Sequence, residues 1–145
     1  MTERDAQDAR IQTILSDEQN QSFEDAIDRF YQHLTTSLQL PCDVRGIEDF
    51  DWEEYYIFGP GDASEYQRLC KTQPSSEDTF ELIAIEKDIF SEWMMFGDVD
   101  LAARVRRKTD GVEFYLGLAE IEAVKRSSLN YQLLDDYSVW CVNNR

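Results

Sequence analysis

The chain has 145 residues, of which 30 are Asp or Glu and 14 are Lys or Arg, so its formal net charge is −16 at pH 7. This surplus of acids argues against a nucleic-acid-binding protein, because contacts with phosphates require Lys and Arg. Hydrophobic residues make up 42% of the chain, which is enough for a packed core, and the length suits one domain. We therefore expect a single acidic globular domain spanning 1–145.

The sequence shows no sign of export or of membrane insertion. No basic stretch at the amino terminus leads into an apolar one, and apolar runs such as 93–96 are far too short to span a bilayer. The three cysteines, Cys42, Cys70 and Cys141, are odd in number and lack Cys-x-x-Cys spacing. Neither a disulfide framework nor a zinc site is indicated. We expect a cytoplasmic monomer with reduced thiols and no contact with membranes.

The first predicted elements are helices. Residues 1–20 are polar, with few large aliphatics, and predict a frayed or weakly docked helix. From residue 23 onward, apolar side chains recur every three or four positions, which predicts an amphipathic helix with Ser22 as its N-cap and Pro41 beyond its end. The apolar positions of this helix are Phe23, Ala26, Ile27, Phe30, Tyr31, Leu34 and Leu38.

Short strands and turns follow. Residues 42–47 alternate as in a strand, and the aromatic run 55–58 predicts a second strand ending at Gly59-Pro60-Gly61. A short helix through 65–70 is predicted next, capped by Asp62 or Ser64 and ending before Pro74.

The second half of the chain predicts a strand over 79–85 and a hairpin formed by 101–107 and 112–116. The sequence Asp110-Gly111 is its turn signal. The stretch 118–124 follows, with apolar residues at Leu118, Ile121 and Val124. Asn130 is a plausible cap for a short C-terminal helix. We therefore predict an α+β fold, with an N-terminal amphipathic helix, a small curled antiparallel sheet or SH3-like barrel, and a C-terminal helix.

Few residue types are available for catalysis. His33 is the only histidine, so a catalytic triad and a histidine-rich metal site are excluded. The glycines form no phosphate-binding loop. Paired carboxylates occur in glycoside hydrolases, but with thirty acids some pair always exists, and nothing in the spacing indicates that chemistry. We expect a protein that is not an enzyme.

The carboxylates are the remaining candidates for function. Residues 43–100 hold 16 acids and 4 bases, so this block either attracts something positive or forms a solvated face that keeps the protein soluble. If 48–54 is extended, Asp49, Asp51 and Glu53 point to one side, where hard oxygens would suit calcium. The candidate ligands are Asp49, Asp51, Glu53, Glu54, Asp98, Asp100, Asp135 and Asp136.

None of these clusters is an EF-hand. Counting Asp49 as position one puts Glu54 at the required glycine and Pro60 at the required glutamate, and counting from Asp98 puts Ala102 at position five. A calcium site must therefore be assembled from separated segments of the chain.

Several stretches resemble one bacterial family. They are the C-terminal stretch 127–140, the helix carrying Phe30 and Leu34 that leads into 38–42, and the stretch 117–124. Together they cover about half of the chain and are similar to the CcbP-type calcium-binding proteins. The resemblance implies an acidic calcium-binding protein without EF-hands that acts as a buffer or regulator. Of the candidate ligands, Asp135 and Asp136 lie within the matched sequence.

Two functional hypotheses follow. The first is a non-enzymatic calcium-binding protein whose acidic face lies mainly in 43–100. The alternative is an acidic interaction protein, of the inhibitor, immunity or nucleic-acid-mimic type, that docks a basic partner protein without metal.

Overall fold

The computed structural model describes residues 2–15 and 21–145. Two helices come first, α1 at Glu3–Leu15 and α2 at Phe23–Ser37. The prediction for α2 is confirmed, because the hydroxyl of Ser22 accepts the N–H of Asp25 at 3.1 Å and so caps the helix. The frayed or weakly docked helix predicted over 1–20 corresponds to α1 in its described part, while residue 1 and residues 16–20 lie outside the described residues.

Within the described residues, five strands form one antiparallel open sheet in the order β4-β3-β2-β1-β5. The α+β class is thus confirmed, with β4 and β5 as the two edges of the sheet. Gly111 has φ +76° in the predicted hairpin turn, a backbone conformation that favours glycine. The strands are β1 at Cys42–Gly46, β2 at Phe80–Glu86, β3 at Ala102–Arg107, β4 at Glu113–Gly117 and β5 at Ile121–Ala123.

The connection between β1 and β2 contains two helices, α3 at Asp51–Ile57 and α4 at Ala63–Leu69. The predicted α4 is confirmed with Asp62 as its cap, but the predicted strand at 55–58 is wrong. Helix α3 begins where the Glu53 carboxylate accepts the Phe50 N–H at 3.0 Å. Capping and the burial of Phe50 outweigh the strand preference of the aromatic run.

Helix α5, at Leu129–Asn144, is 16 residues long, which is longer than the short helix we predicted. Its cap is Ser128 and not Asn130, because the Ser128 hydroxyl accepts the N–H of Tyr131 at 3.1 Å. Asn130 lies inside the helix, where its side chain forms two hydrogen bonds with the backbone of Gln39. Asn130 therefore ties α5 to the segment before β1.

A single turn of 3₁₀ helix, Leu118–Glu120, joins β4 to β5, so the stretch 118–124 begins with a helical turn before its strand. The turn is anchored on three sides. Its Leu118 N–H donates to Leu101 at 2.9 Å, its Ala119 carbonyl accepts from Ser138 at 2.6 Å, and its Glu120 carbonyl accepts from Ile47 at 2.9 Å. These bonds fix the direction of the Glu120 side chain.

The core lies between the sheet and helices α2 and α5. Phe30 of α2 packs against Trp140 and Tyr137 of α5, with ring centroids 4.8 and 5.5 Å apart. Within residues 2–15 and 21–145, no helix has the length and apolar character needed to cross a membrane.

Candidate functional site

Two carboxylates from distant parts of the chain converge beside the 3₁₀ turn. Asp100, just before β3, accepts the N–H of Ala119 at 3.1 Å and the hydroxyl of Tyr137. Glu120, at the end of the turn, accepts the N–H of Met95 at 3.1 Å. Backbone and buried donors therefore hold both carboxylates in place.

The two carboxylates meet over Gly117. A Cβ atom at this position would lie 2.3 Å from Oε2 of Glu120 and 2.6 Å from Oδ2 of Asp100. An alanine here would displace one or both carboxylates, so glycine lets the two oxygens lie close to the same point in space. We call this arrangement of Asp100, Glu120 and Gly117 the carboxylate cradle.

The cradle shifts the pKa of both acids towards neutrality. Burial raises the pKa of Asp100 to about 6, against the opposing effect of its hydrogen bond from Tyr137. Burial also raises the pKa of Glu120 to about 7, and the charges of Asp100 and Asp51 add to this rise. The Arg145 guanidinium acts in the opposite direction on both acids. A bound cation would favour the ionised form of the pair.

A second feature, the acidic groove, lies between β1 and α3. It has a volume of about 450 Å³, and among the described residues its lining includes three acids but no Lys, Arg or His. A smaller cleft of about 190 Å³ shares Ile47, Glu48 and Asp49 with the groove and is also lined by Glu120 and Arg145. The groove is lined by Gly46, Ile47, Glu48, Asp49, Glu54, Phe58 and Ser76.

The predicted acidic face of Asp49, Asp51 and Glu53 does not form, because residues 51–57 are helical and not extended. Asp49 lines the groove and accepts from the Ser76 hydroxyl at 3.1 Å. Asp51 is exposed. Glu53 is fully buried and points into the protein, since residues two apart on a helix lie on opposite sides.

Glu53 has a full set of protein donors. Its carboxylate accepts the N–H groups of Phe50 and Ser76 and the hydroxyls of Ser75 and Tyr66. It therefore joins α3 to α4 and to the segment before β2. Its neighbour Glu54 points outward and lines the acidic groove.

Asp98 and Asp100 both line a cleft of about 680 Å³ beside α2, but only Asp100 belongs to the cradle. Asp135 and Asp136 face α1 instead. The Gln7 amide donates to both, and the Arg10 guanidinium binds Asp136 through two nitrogens at 2.8 and 3.0 Å. The side chain of Asp136 is only 3% exposed, so this pairing attaches α1 to α5.

Sequence reasoning missed Glu120 and gave no separate role to Glu48. Glu120 lies outside the acidic block 43–100, and its proximity to Asp100 arises only when the 3₁₀ turn closes on the segment before β3. The acidic run 48–54, which the sequence analysis singled out, does contribute acids to the groove. Because α3 begins within this run, the helix decides which acids of the run face outward.

The oxygen atoms available at the cradle are of the type that a hard cation binds. Carboxylate and backbone oxygens are the ligands that calcium prefers, and its shell of six to eight ligands accepts water. Across the part of the chain that the structure describes, no group of three or more His, Cys, Asp or Glu residues is arranged as a metal centre. A cation at the cradle would therefore take two carboxylates from the chain and complete its shell with other oxygens.

Comparisons with known proteins show the fold. The sequence matches no family model, and a search of curated proteins found no match. Among solved structures, a protein described as a calcium-binding protein in its calcium-binding form is similar, with 18% identity and a TM-score of 0.59. The match covers 95% of this chain and 90% of the other. At this level of identity, the two proteins share a fold.

Proposed function

We propose that this chain is a non-enzymatic calcium-binding protein without EF-hands, a cytoplasmic monomer that acts as a buffer or regulator. The observation that carries the proposal is the convergence of the Asp100 and Glu120 carboxylates over Gly117. The similar fold of a protein described as calcium-binding supports it, as does the resemblance to the CcbP-type family.

Electrostatics favours a divalent cation at the cradle. Two half-buried carboxylates at close range repel each other when both are ionised, and this repulsion is one reason that the pKa of Glu120 is raised to about 7. A divalent cation neutralises both charges and removes the penalty. The exposed Asp51, whose charge reaches Glu120, would add long-range attraction.

The donor set favours calcium over magnesium. Magnesium requires a strict octahedron of ligands at about 2.0–2.1 Å, whereas calcium tolerates irregular geometry at about 2.3–2.6 Å. Asp100 is held by Ala119 and Tyr137, so it cannot easily turn to complete an octahedron. We therefore expect calcium to bind more tightly than magnesium, and weakly compared with a site that has more carboxylates.

Calorimetric titration with calcium, with magnesium as competitor, tests the proposal. Glu120→Gln removes one ligand, and Gly117→Ala keeps both ligands but fills the space between them. Each should weaken calcium binding at least tenfold, or about 1.4 kcal/mol. The matched controls are Glu92→Gln, an exposed acid, and Gly97→Ala, where the atoms nearest to a Cβ would belong to Phe90 and Met94.

Two results would remove the basis of the proposal. One is the absence of both heat and a melting-temperature rise at millimolar calcium. The other is an equal loss of affinity in the cradle variants and in a variant neutralised at Glu3, Asp5 and Asp8 on α1, since this would indicate diffuse attraction to the net charge.

A further inference from the structure

The acidic groove combines its charge with exposed apolar side chains. Phe58 follows the last turn of α3 and is 79% exposed, and Ile47 on the facing wall is 42% exposed. Both line the groove together with Glu48, Asp49 and Glu54. A large aromatic ring left in water beside a groove is a feature of protein–protein contact sites.

The groove is held rigid from within the protein. Glu53 fastens the start of α3 to the segment before β2, accepting the Ser76 N–H and the Ser75 hydroxyl, each at 2.8 Å. The floor is closely packed, because a Cβ at Gly46 would lie 3.0 Å from the Ser76 Cβ and 3.1 Å from the Phe50 ring. A partner therefore meets a groove that is already formed, which lowers the entropic cost of binding.

Charge complementarity identifies the class of partner. Of the residues that the structure describes, no Lys, Arg or His lines the groove itself, and the base Arg145 lines the adjoining cleft. The surrounding segment 47–58 contains five acids and no base. Anionic partners such as nucleic acids and acidic membranes would be repelled. A guanidinium group can pair with carboxylates through two hydrogen bonds and stack on an aromatic ring, so arginine fits both the acids and Phe58.

We propose that the acidic groove docks a basic linear segment of a partner protein in which arginine alternates with large apolar residues. The carboxylates of Glu48, Asp49 and Glu54 bind the arginines, and Phe58 and Ile47 contact the apolar side chains. This docking goes beyond calcium binding, since it uses the groove and requires no metal.

The test measures binding of three synthetic ten-residue peptides by calorimetry in EDTA at low salt. One alternates Arg and Leu, one alternates Arg and Ser, and one alternates Glu and Leu. The Arg-Leu peptide should bind at least tenfold more tightly than the Arg-Ser peptide, and the Glu-Leu peptide should not bind. Because a chelator is present throughout, the outcome does not depend on the calcium proposal.

Matched variants locate the binding surface. Phe58→Ser and Glu54→Gln should each weaken binding of the Arg-Leu peptide at least tenfold. Phe90→Ser, which removes a ring 73% exposed outside the groove, and Glu92→Gln should leave it unchanged. All four side chains are exposed, so circular dichroism should show every variant folded. Equal binding of the two arginine peptides, no effect of Phe58→Ser, or no binding of the Arg-Leu peptide would overturn the proposal.

Discussion

Replacing Glu120 with glutamine, which does not titrate, should change how the stability of the metal-free protein depends on pH. In the folded protein, burial raises the pKa of Glu120 from 4.5 to about 7, while the unfolded chain keeps the ordinary value. Between these pKa values the folded state binds more protons than the unfolded state, so the contribution of Glu120 to stability falls as the pH rises through this window. Glu120→Gln stays neutral and does not lose this contribution.

The size of the effect follows from the shift. Each pKa unit corresponds to about 1.4 kcal/mol, so a shift of about 2.5 units is worth roughly 3 kcal/mol in total. Part of this is already lost below pH 5, and partial exposure of Glu120 reduces the remainder. We expect the free energy of unfolding of Glu120→Gln to rise by about 2 kcal/mol relative to the wild type between pH 5 and pH 8.

Urea unfolding in EDTA at a series of pH values measures this difference. The loss of one hydrogen-bond acceptor shifts the variant equally at every pH, so the pH dependence of the difference reports the titration of Glu120 together with its coupling to Asp100. Glu92→Gln, an exposed acid, should show no such change. A difference between Glu120→Gln and the wild type that stays flat from pH 5 to pH 8 would refute the argument that burial at the cradle disfavours the ionised acid.

Three further predictions concern the buried polar network and are tested by urea unfolding and by melting temperature. Arg107→Met should cost about 3–5 kcal/mol, because the guanidinium is 2% exposed and bonds Asp78, Asp110 and three backbone carbonyls; a loss under 1 kcal/mol would contradict this. Glu53→Gln should cost about 2–3 kcal/mol, since an amide cannot accept from all four donors, yet should leave the heat of calcium binding intact, and loss of that heat would assign Glu53 to the metal. Asp136→Asn should lower the melting temperature in chelator more than Asp135→Asn does and keep the full calcium-induced rise, whereas loss of that rise would assign a metal role to Asp136.

The elements that could be predicted from the sequence are those specified by local interactions. Helix α2 has a side-chain cap at Ser22 and a regular apolar stripe, α4 has Asp62, and the hairpin has a glycine with positive φ. Each signal operates within a few residues of the element it specifies, so no knowledge of the rest of the chain is needed.

Helix α3 shows where local reasoning fails. The run 55–58 has the composition of a strand, but the segment starts with Phe50 in the core and with Glu53 bonded to residues 75 and 76. These tertiary contacts lie more than twenty positions away and override the local preference. The error carried through to the site, because the predicted face of alternating acids depended on an extended backbone.

The net charge of the acidic block 43–100 also did not locate the site, because basic residues elsewhere in the protein neutralise some of the acids in this block. Strand β3 and the turn after it supply three bases that pair with acids of the block. The pairs are Glu81 with Arg106, Asp78 with Arg107 and Asp43 with Lys108. Glu81 lies on β2, which pairs with β3, and Asp78 lies just before β2, while Asp43 lies on β1, on the other side of β2. The acids of the groove lie on the connection after β1 or in the helix that follows it. The order of the strands therefore decides which acids the chain itself compensates and which face a groove that no described Lys, Arg or His lines, and this selection cannot be obtained by counting charges along a sequence.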